Sequence, residues 1–353
     1  MPQPIHVAPR STPTVSAVRR VLALGGLALA AAACMPDEGA DPNPNASAAG
    51  GTSTPPGYAP AVEPSGARRV ARLDGFLSPE SVKYDAEQDV YFVTNILGYG
   101  SVKDGNGYIV KVSAADPAKM EVFAEGGKNG VVLDAPKGTA LHGDTLWVAD
   151  IDHLRGFDRH DGRMLADVDF APQHALMLND VDVGPDGTIH VTDTGIHMTD
   201  KGVIYTDSQR VFVVGPNRSV TTAAQGPALG HPNGIKWDAS GKRWIVVSFD
   251  PFRSDVYAMR DGDSTRTVLA RGRGRFDGLE LLDDGRMLVT CWNDSTVHAF
   301  GPGGRDEPIV HHLSQPADLG LDTRRHRIAV PLGMLGRVEI WQLPTTERTV
   351  ARR

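Results

Sequence analysis

Short apolar runs of about five residues, each broken by a tight turn rich in Gly, Asp, Asn and Pro, recur along most of this chain. They predict antiparallel strands, and no long segment carries a helical period. The runs fall into a repeat of a turn residue, an apolar strand, a tight turn and a second apolar strand that ends on a polar residue. The clearest copies are Pro232-Asn233-Gly234-Ile235-Lys236-Trp237 followed by Trp244 to Ser248, and Phe276-Asp277-Gly278-Leu279 followed by Met287 to Thr290. Others begin at Pro79-Glu80-Ser81-Val82, Pro136-Lys137-Gly138-Thr139, Leu178-Asn179-Asp180-Val181 and Pro316-Ala317-Asp318-Leu319.

Taking the residue after the leading Pro, Leu or Phe as an anchor puts the six copies at positions 80, 137, 179, 233, 277 and 317, which are 57, 42, 54, 44 and 40 residues apart. Such spacing accommodates a four-stranded unit per copy and predicts blades around a central channel. The last copy stops after a third strand, Arg337 to Leu343, while a strand with no partner, Arg69 to Leu73, precedes the first. Using that strand as the outer strand of blade six closes the ring without a long exposed edge. The expectation is an all-β, six-bladed β-propeller over residues 67–344 with an N-terminal strand closing the last blade.

Residues 1–34 read as a targeting segment: Arg19 and Arg20, an apolar stretch from Val21 to Ala33, and Ala31-Ala32-Ala33 before Cys34. A small-residue site ending on cysteine resembles the bacterial lipobox, which implies that Cys34 is lipidated and becomes the mature N-terminus. Met35 follows it, so the expected location is the outer membrane, facing the periplasm, with a secreted periplasmic protein as the alternative. Residues 35–66 are rich in Pro, Gly, Ala and Ser and predict a disordered tether. Residues 345–353 read as a polar tail. One cysteine, Cys291, lies beyond Cys34, in an apolar strand, so no structural disulfide is expected and Cys291 reads as a small buried hydrophobe.

The formal net charge of −7, with Lys and Arg scattered, excludes nucleic acid as a main partner and leaves membrane contact to the lipid anchor alone. Function therefore has to come from the channel. In a propeller the first strand of each blade lines the axis, so Glu80, Lys137, Asn179, Asn233, Asp277 and Ala317 are expected to converge, with Asp180 and Asp318 one step on. The second strands return to the same face and bring Asn95, Asp150, Asp193, Asp250 and Asn293 around them. Carboxylates and carboxamides offer oxygen ligands only, a set suited to one hard divalent cation, Ca²⁺, Mg²⁺ or Mn²⁺, and less to Zn²⁺. As turn residues before glycine, Asn and Asp would have no such role. Lys137 has two readings: a counter-charge for the acidic ring, paired with a carboxylate such as Asp180, or a group that binds substrate or an oxyanion. His153, His231 and His311 lie near strand ends, and only His231, beside Asn233, is kept as a secondary candidate.

At the stretches Ser78 to Val82, Leu178-Asn179-Asp180, Pro232 to Trp237 and Phe276 to Leu279, the chain resembles the senescence-marker protein, gluconolactonase and luciferin-regenerating enzyme family of six-bladed propellers. That resemblance implies a divalent cation held by Glu80, Asn233 and Asp277, with Asn179 at the metal or substrate. It also implies a metal-dependent lactone or ester hydrolase in which Asp277 steers or deprotonates the attacking water, with Asn179, Asp180 and Lys137 toward the substrate. Met177 stands where the family's sugar-lactone hydrolases carry arginine. The competing expectation is a non-enzymatic propeller that binds a protein, peptide or small molecule, because a fold alone does not fix function. Oligomeric state is not legible.

Overall fold

Six four-stranded antiparallel sheets form the blades of a β-propeller. This computed structural model describes residues 61–262 and 265–344, so the predicted signal sequence with Cys34, the tether up to residue 60 and the tail 345–353 lie outside it. The innermost strands are Pro79–Asp85, Pro136–His142, Leu178–Val183, Pro232–Asp238, Phe276–Leu281 and Gly320–Asp322, and adjacent ones flank each other around the axis. Strand Arg68–Asp74 pairs antiparallel with Arg337–Gln342 and is the outer strand of blade six, the predicted closure. Residues 61–66, at the end of the predicted tether, already fold against the propeller: Ser65 Oγ donates to the Ile309 carbonyl at 2.7 Å and Glu63 meets His311 Nδ1 at 2.8 Å.

Blades packed face to face bury both sides of their inner strands, which explains the unbroken apolar runs. Val90–Asn95 and Met287–Cys291 are buried at every position. Outer strands have one neighbouring face only and alternate, as in Met164–Asp169. Six apolar clusters result, one per blade interface; Phe92 and Ile109 with Leu146 and Phe157 form the one between blades one and two. A seventh, built on Met177, Ile196 and Phe249, sits apart at one end of the channel.

The 54-residue spacing after Asn179 has a structural cause. Blade three carries an extra hairpin, Ile196–Thr199 paired with Gly202–Tyr205, between its second strand and Arg210–Val214. Its two four-residue strands are too short and too weakly patterned to announce themselves.

Candidate active site

Five of the six anchors sit on the same backbone irregularity. In blade one Pro79 pairs with Asn95 and Val82 with Val93, so the inner strand carries one residue more than its partner, a β-bulge at Glu80-Ser81. The register slips in the same way at Lys137-Gly138, Asn179-Asp180, Asn233-Gly234 and Asp277-Gly278. The Asn-Gly and Asp-Gly pairs are therefore strand bulges, and their glycines answer to crowding. A Cβ on Gly234 would lie 2.7 Å from the Asp277 carbonyl of the next blade, and one on Gly278 would lie 2.6 Å from Asp318 Cα.

Threonines lock alternate bulges to the following blade. Thr94 Oγ1 accepts from Ser81 N and donates to the Lys137 carbonyl; Thr192 does the same between Asp180 N and the Asn233 carbonyl, and Thr290 between Gly278 N and the Ala317 carbonyl. This relay fixes the height of successive anchors and was missed in the sequence, where a Thr inside an apolar strand carries no signal.

Glu80, Lys137, Asn179, Asn233 and Asp277 line one cavity of about 60 Å³ at the channel mouth. The predicted ring thus converges for the anchors of blades one to five, while Ala317 of blade six is buried without lining the cavity. Four of its oxygens, Glu80 Oε2, Asn179 Oδ1, Asn233 Oδ1 and Asp277 Oδ1, are buried without a hydrogen-bond partner. Buried orphan acceptors are costly and rare, and four of them on one cavity fit the ligand set of a hard cation. Burial, reinforced by Asp180, pushes the Asp277 carboxyl up to about 8. Burial also lifts Glu80 well above the usual carboxylate range, with Asp277 adding to the effect and Lys137 opposing it.

Lys137 and Asp180 part company. The Lys137 ammonium donates to the carbonyls of Gly100 and Ala135, both at 2.8 Å, and burial lowers its pKa against the pull of Glu80. Asp180 follows the bulge and points one layer deeper, where it accepts from Ile235 N at 2.8 Å and from Val181 N. The expected Lys137 pairing with Asp180 is absent for that reason, and Asp180 does not line the cavity. Its cationic neighbour is Lys236: burial opposes that charge, but Glu280, Asp180, Asp182 and Asp318 together raise its pKa.

The polar residues expected to surround the anchors do other work. Asp150 accepts from Asp134 N, Ala135 N and Arg155 Nε, and Asp193 from Leu176 N, Met177 N and Gly195 N. Asp250 caps Phe252 and Arg253, Asn95 accepts from Leu77 N, and Asn293 donates to the carbonyls of Pro251 and Arg273. These side chains shape the mouth loops. His231 is buried with Nδ1 at 2.9 Å from the Thr194 carbonyl and its ring against Tyr205, so it packs behind the cavity. His153 meets Asp167.

The cavity walls are Ile96, Met177, Ile196, Met198, Phe249 and Trp292, with Gly100. Two elements from different blades meet over it. In the 96–107 loop of blade one, Ser101 N donates to the Met198 carbonyl at 3.1 Å, and Met198 N, on the blade-three hairpin, donates to Ser101 Oγ at 3.0 Å. Eight of the eleven exposed large hydrophobic residues among the described ones lie in the loops and the hairpin that leave the blades at this end: Leu77, Tyr99, Val132, Phe252, and the pairs Val203-Ile204 and Met334-Leu335. Sequence alone could not group them, because they come from six separate segments of the chain.

Cys291 is buried and free, as expected of a small core residue. Its Sγ also donates to the Gly274 carbonyl and lies near Asp294 and His298, a potential metal-ligating trio outside the channel. Both His298 nitrogens are already taken, Nδ1 by Asp306 at 2.8 Å and Nε2 by Asp294 at 3.1 Å, so that trio serves as a structural ion pair.

Residues 78–318 match the family model described as SMP-30/Gluconolactonase/LRE-like region. Similar solved structures include a gluconolactonase from Xanthomonas campestris (18% identity, TM-score 0.60, covering 79% of this chain and 89% of that one). A luciferin-regenerating enzyme (13%, 0.59, 80% and 94%) and the calcium-binding protein regucalcin from Agrobacterium tumefaciens (14%, 0.57, 78% and 94%) are also similar. At such identities these likenesses concern the fold. No curated protein sequence matches.

Proposed function

Since this chain belongs to the SMP-30/gluconolactonase/LRE-like family, we propose that its channel mouth is the active site of a lactone or ester hydrolase that depends on one hard divalent cation. The observation that carries this reading is the set of four partnerless oxygens, on Glu80, Asn179, Asn233 and Asp277, facing one cavity. Those residues would hold the cation. When bound, it would polarise the substrate carbonyl and offset the charge that develops there.

The chain's own groups supply the rest. Asp277, which faces the cavity, orients a water and takes its proton as that water adds to the carbonyl carbon. The acyl carbon–oxygen bond then breaks, the alkoxide takes up the proton held by Asp277, and a hydroxy acid leaves. Lys137 spends two of its three N–H donors on Gly100 and Ala135, which leaves one for a substrate oxygen. Phe249, Trp292 and Met177 keep bulk water from the reacting groups, so that each polar contact acts in a low dielectric.

Calorimetric titration of the metal-stripped protein with Ca²⁺, Mg²⁺, Mn²⁺ and Zn²⁺, beside Glu80→Gln, tests it. Saturable binding of one hard cation, abolished in the variant and matched by cation-dependent opening of a lactone, supports the reading; the absence of binding to any of the four refutes it.

A further inference from the structure

Apart from the ligand oxygens and Lys137, the cavity that holds the candidate cation site is lined by apolar side chains and Gly100. Met177 and Met198 face it from blade three and its hairpin, Ile96 and Ile196 from the two covering elements, Phe249 and Trp292 from the remaining arc. Phe249 and Trp292 also pack edge to face, with ring centroids 5.0 Å apart, which makes that arc a rigid aromatic wall.

Polar groups left over for a ligand are few. The four orphan oxygens are acceptors assigned to the cation, Lys137 has one uncommitted N–H, and the Trp292 indole N–H is turned toward the Asp277 carboxylate, whose charged form it favours. A sugar lactone carries several hydroxyls, each of which needs a partner when it is taken out of water. Most would find none here and would enter at a penalty. A hydrocarbon chain on the lactone ring meets the opposite situation. It would lie along methionine and aromatic side chains, and methionine adapts to chains of different shape. Outside the cavity it would reach the rim, where Phe252 is 84% and Ile204 58% exposed.

Resting on the hydrolase reading above, we infer that the site selects lactones or esters bearing an alkyl chain and discriminates against polyhydroxylated sugar lactones. Met177, Met198, Phe249 and Trp292 form the chain-binding wall, and the apolar rim receives the distal end.

The test compares hydrolysis of γ-lactones of increasing alkyl length with that of glucono-δ-lactone, using the full-length cation-loaded protein. Binding of the matching alkyl lactams, which can be held but resist opening, is measured in parallel by calorimetry. We expect kcat/KM and lactam affinity to rise about three- to fourfold per added methylene until the chain outgrows the wall. In Met198→Asn that slope should flatten for the longer chains, and circular dichroism confirms that the variant is folded. Lactam affinity that rises with chain length without turnover of any lactone would uphold the preference for alkyl-bearing ligands and defeat the hydrolase reading. Glucono-δ-lactone turned over as well as the long-chain lactones would leave the hydrolase intact and overturn this inference, as would lactam affinity indifferent to chain length.

Discussion

The Lys137 ammonium holds the Gly100 carbonyl at 2.8 Å, and so ties the loop of blade one across the mouth of the cavity that Lys137 itself lines. One side chain thereby links the cover to the candidate ligand ring. Lys137→Met removes both of its backbone hydrogen bonds and leaves two buried carbonyls wanting. Thermal unfolding should report a loss of about 1–3 kcal/mol. The same change deletes a positive charge beside Glu80, so cation affinity measured by calorimetry should rise while lactone turnover falls. Cation affinity that drops instead would place Lys137 among the groups that support the ligands.

Asp277 Oδ1 and Glu80 Oε2 are buried acceptors without partners, which is a strain on the metal-free fold. Asp277→Asn removes one of the converging charges. The metal-free variant should melt at or above the metal-free wild type, whereas addition of the cation should raise the melting temperature of the wild type only. A variant that fails to fold would assign Asp277 to the blade core.

His298 gives a pH dependence outside the site. Burial works against its charged form, yet hydrogen bonds with Asp294 and Asp306 and the neighbouring Cys291 carry its pKa from 6.5 up to about 10. A raised folded-state pKa means that the contribution is fully present below pH 6.5 and disappears as pH rises through about 10. Stability should therefore fall across that window by at most roughly 1.4 kcal/mol per pH unit from this group. Denaturant titrations of His298→Gln should show a flatter profile there; an unchanged profile would locate the effect elsewhere.

The cover over the cavity hangs on Ser101, whose Oγ accepts from Met198 N. In Ser101→Ala that amide loses its acceptor, and its hydrogen exchange should quicken by about tenfold relative to amides of the blade core. Turnover of small lactones should persist, since Ser101 does not line the cavity. Exchange that is no faster would mean that the hairpin is held closed by its other contacts.

Cys34→Ser tests the proposed lipid anchor. In cell fractionation the variant should move from the membrane to the soluble envelope fraction, and a variant that still sediments with membranes would rule out lipidation at Cys34 as the attachment.

How much of this was legible beforehand follows from the physics of each feature. Blade number and closure were readable because a repeating apolar run, a turn and a lone N-terminal strand are local patterns, and burying both faces of the inner strands leaves those runs unbroken. The anchors Glu80, Lys137, Asn179, Asn233 and Asp277 were readable because the same place in each repeat must face the axis. Their convergence on one cavity needs only that rule and a closed ring.

What the tertiary structure decided is everything that depends on contacts between blades. Asn233-Gly234 and Asp277-Gly278 look like turns in sequence and are strand bulges, because neighbouring inner strands approach too closely for a Cβ. That one-residue bulge sends Asp180 below the cavity and Asn179 into it, a distinction that adjacent positions in a sequence do not carry. Asp150 and Asp193, placed near the site by strand direction, are taken by backbone N–H groups of loops distant from them in pattern. The cover formed by Gly100, Ser101 and Met198, and the apolar rim that includes Phe252 and Ile204, arise from loops of different blades. The sequence determined a propeller with a polar ring on its axis; only the packing of blade against blade decided which oxygens were left without partners, and what kind of wall surrounds them.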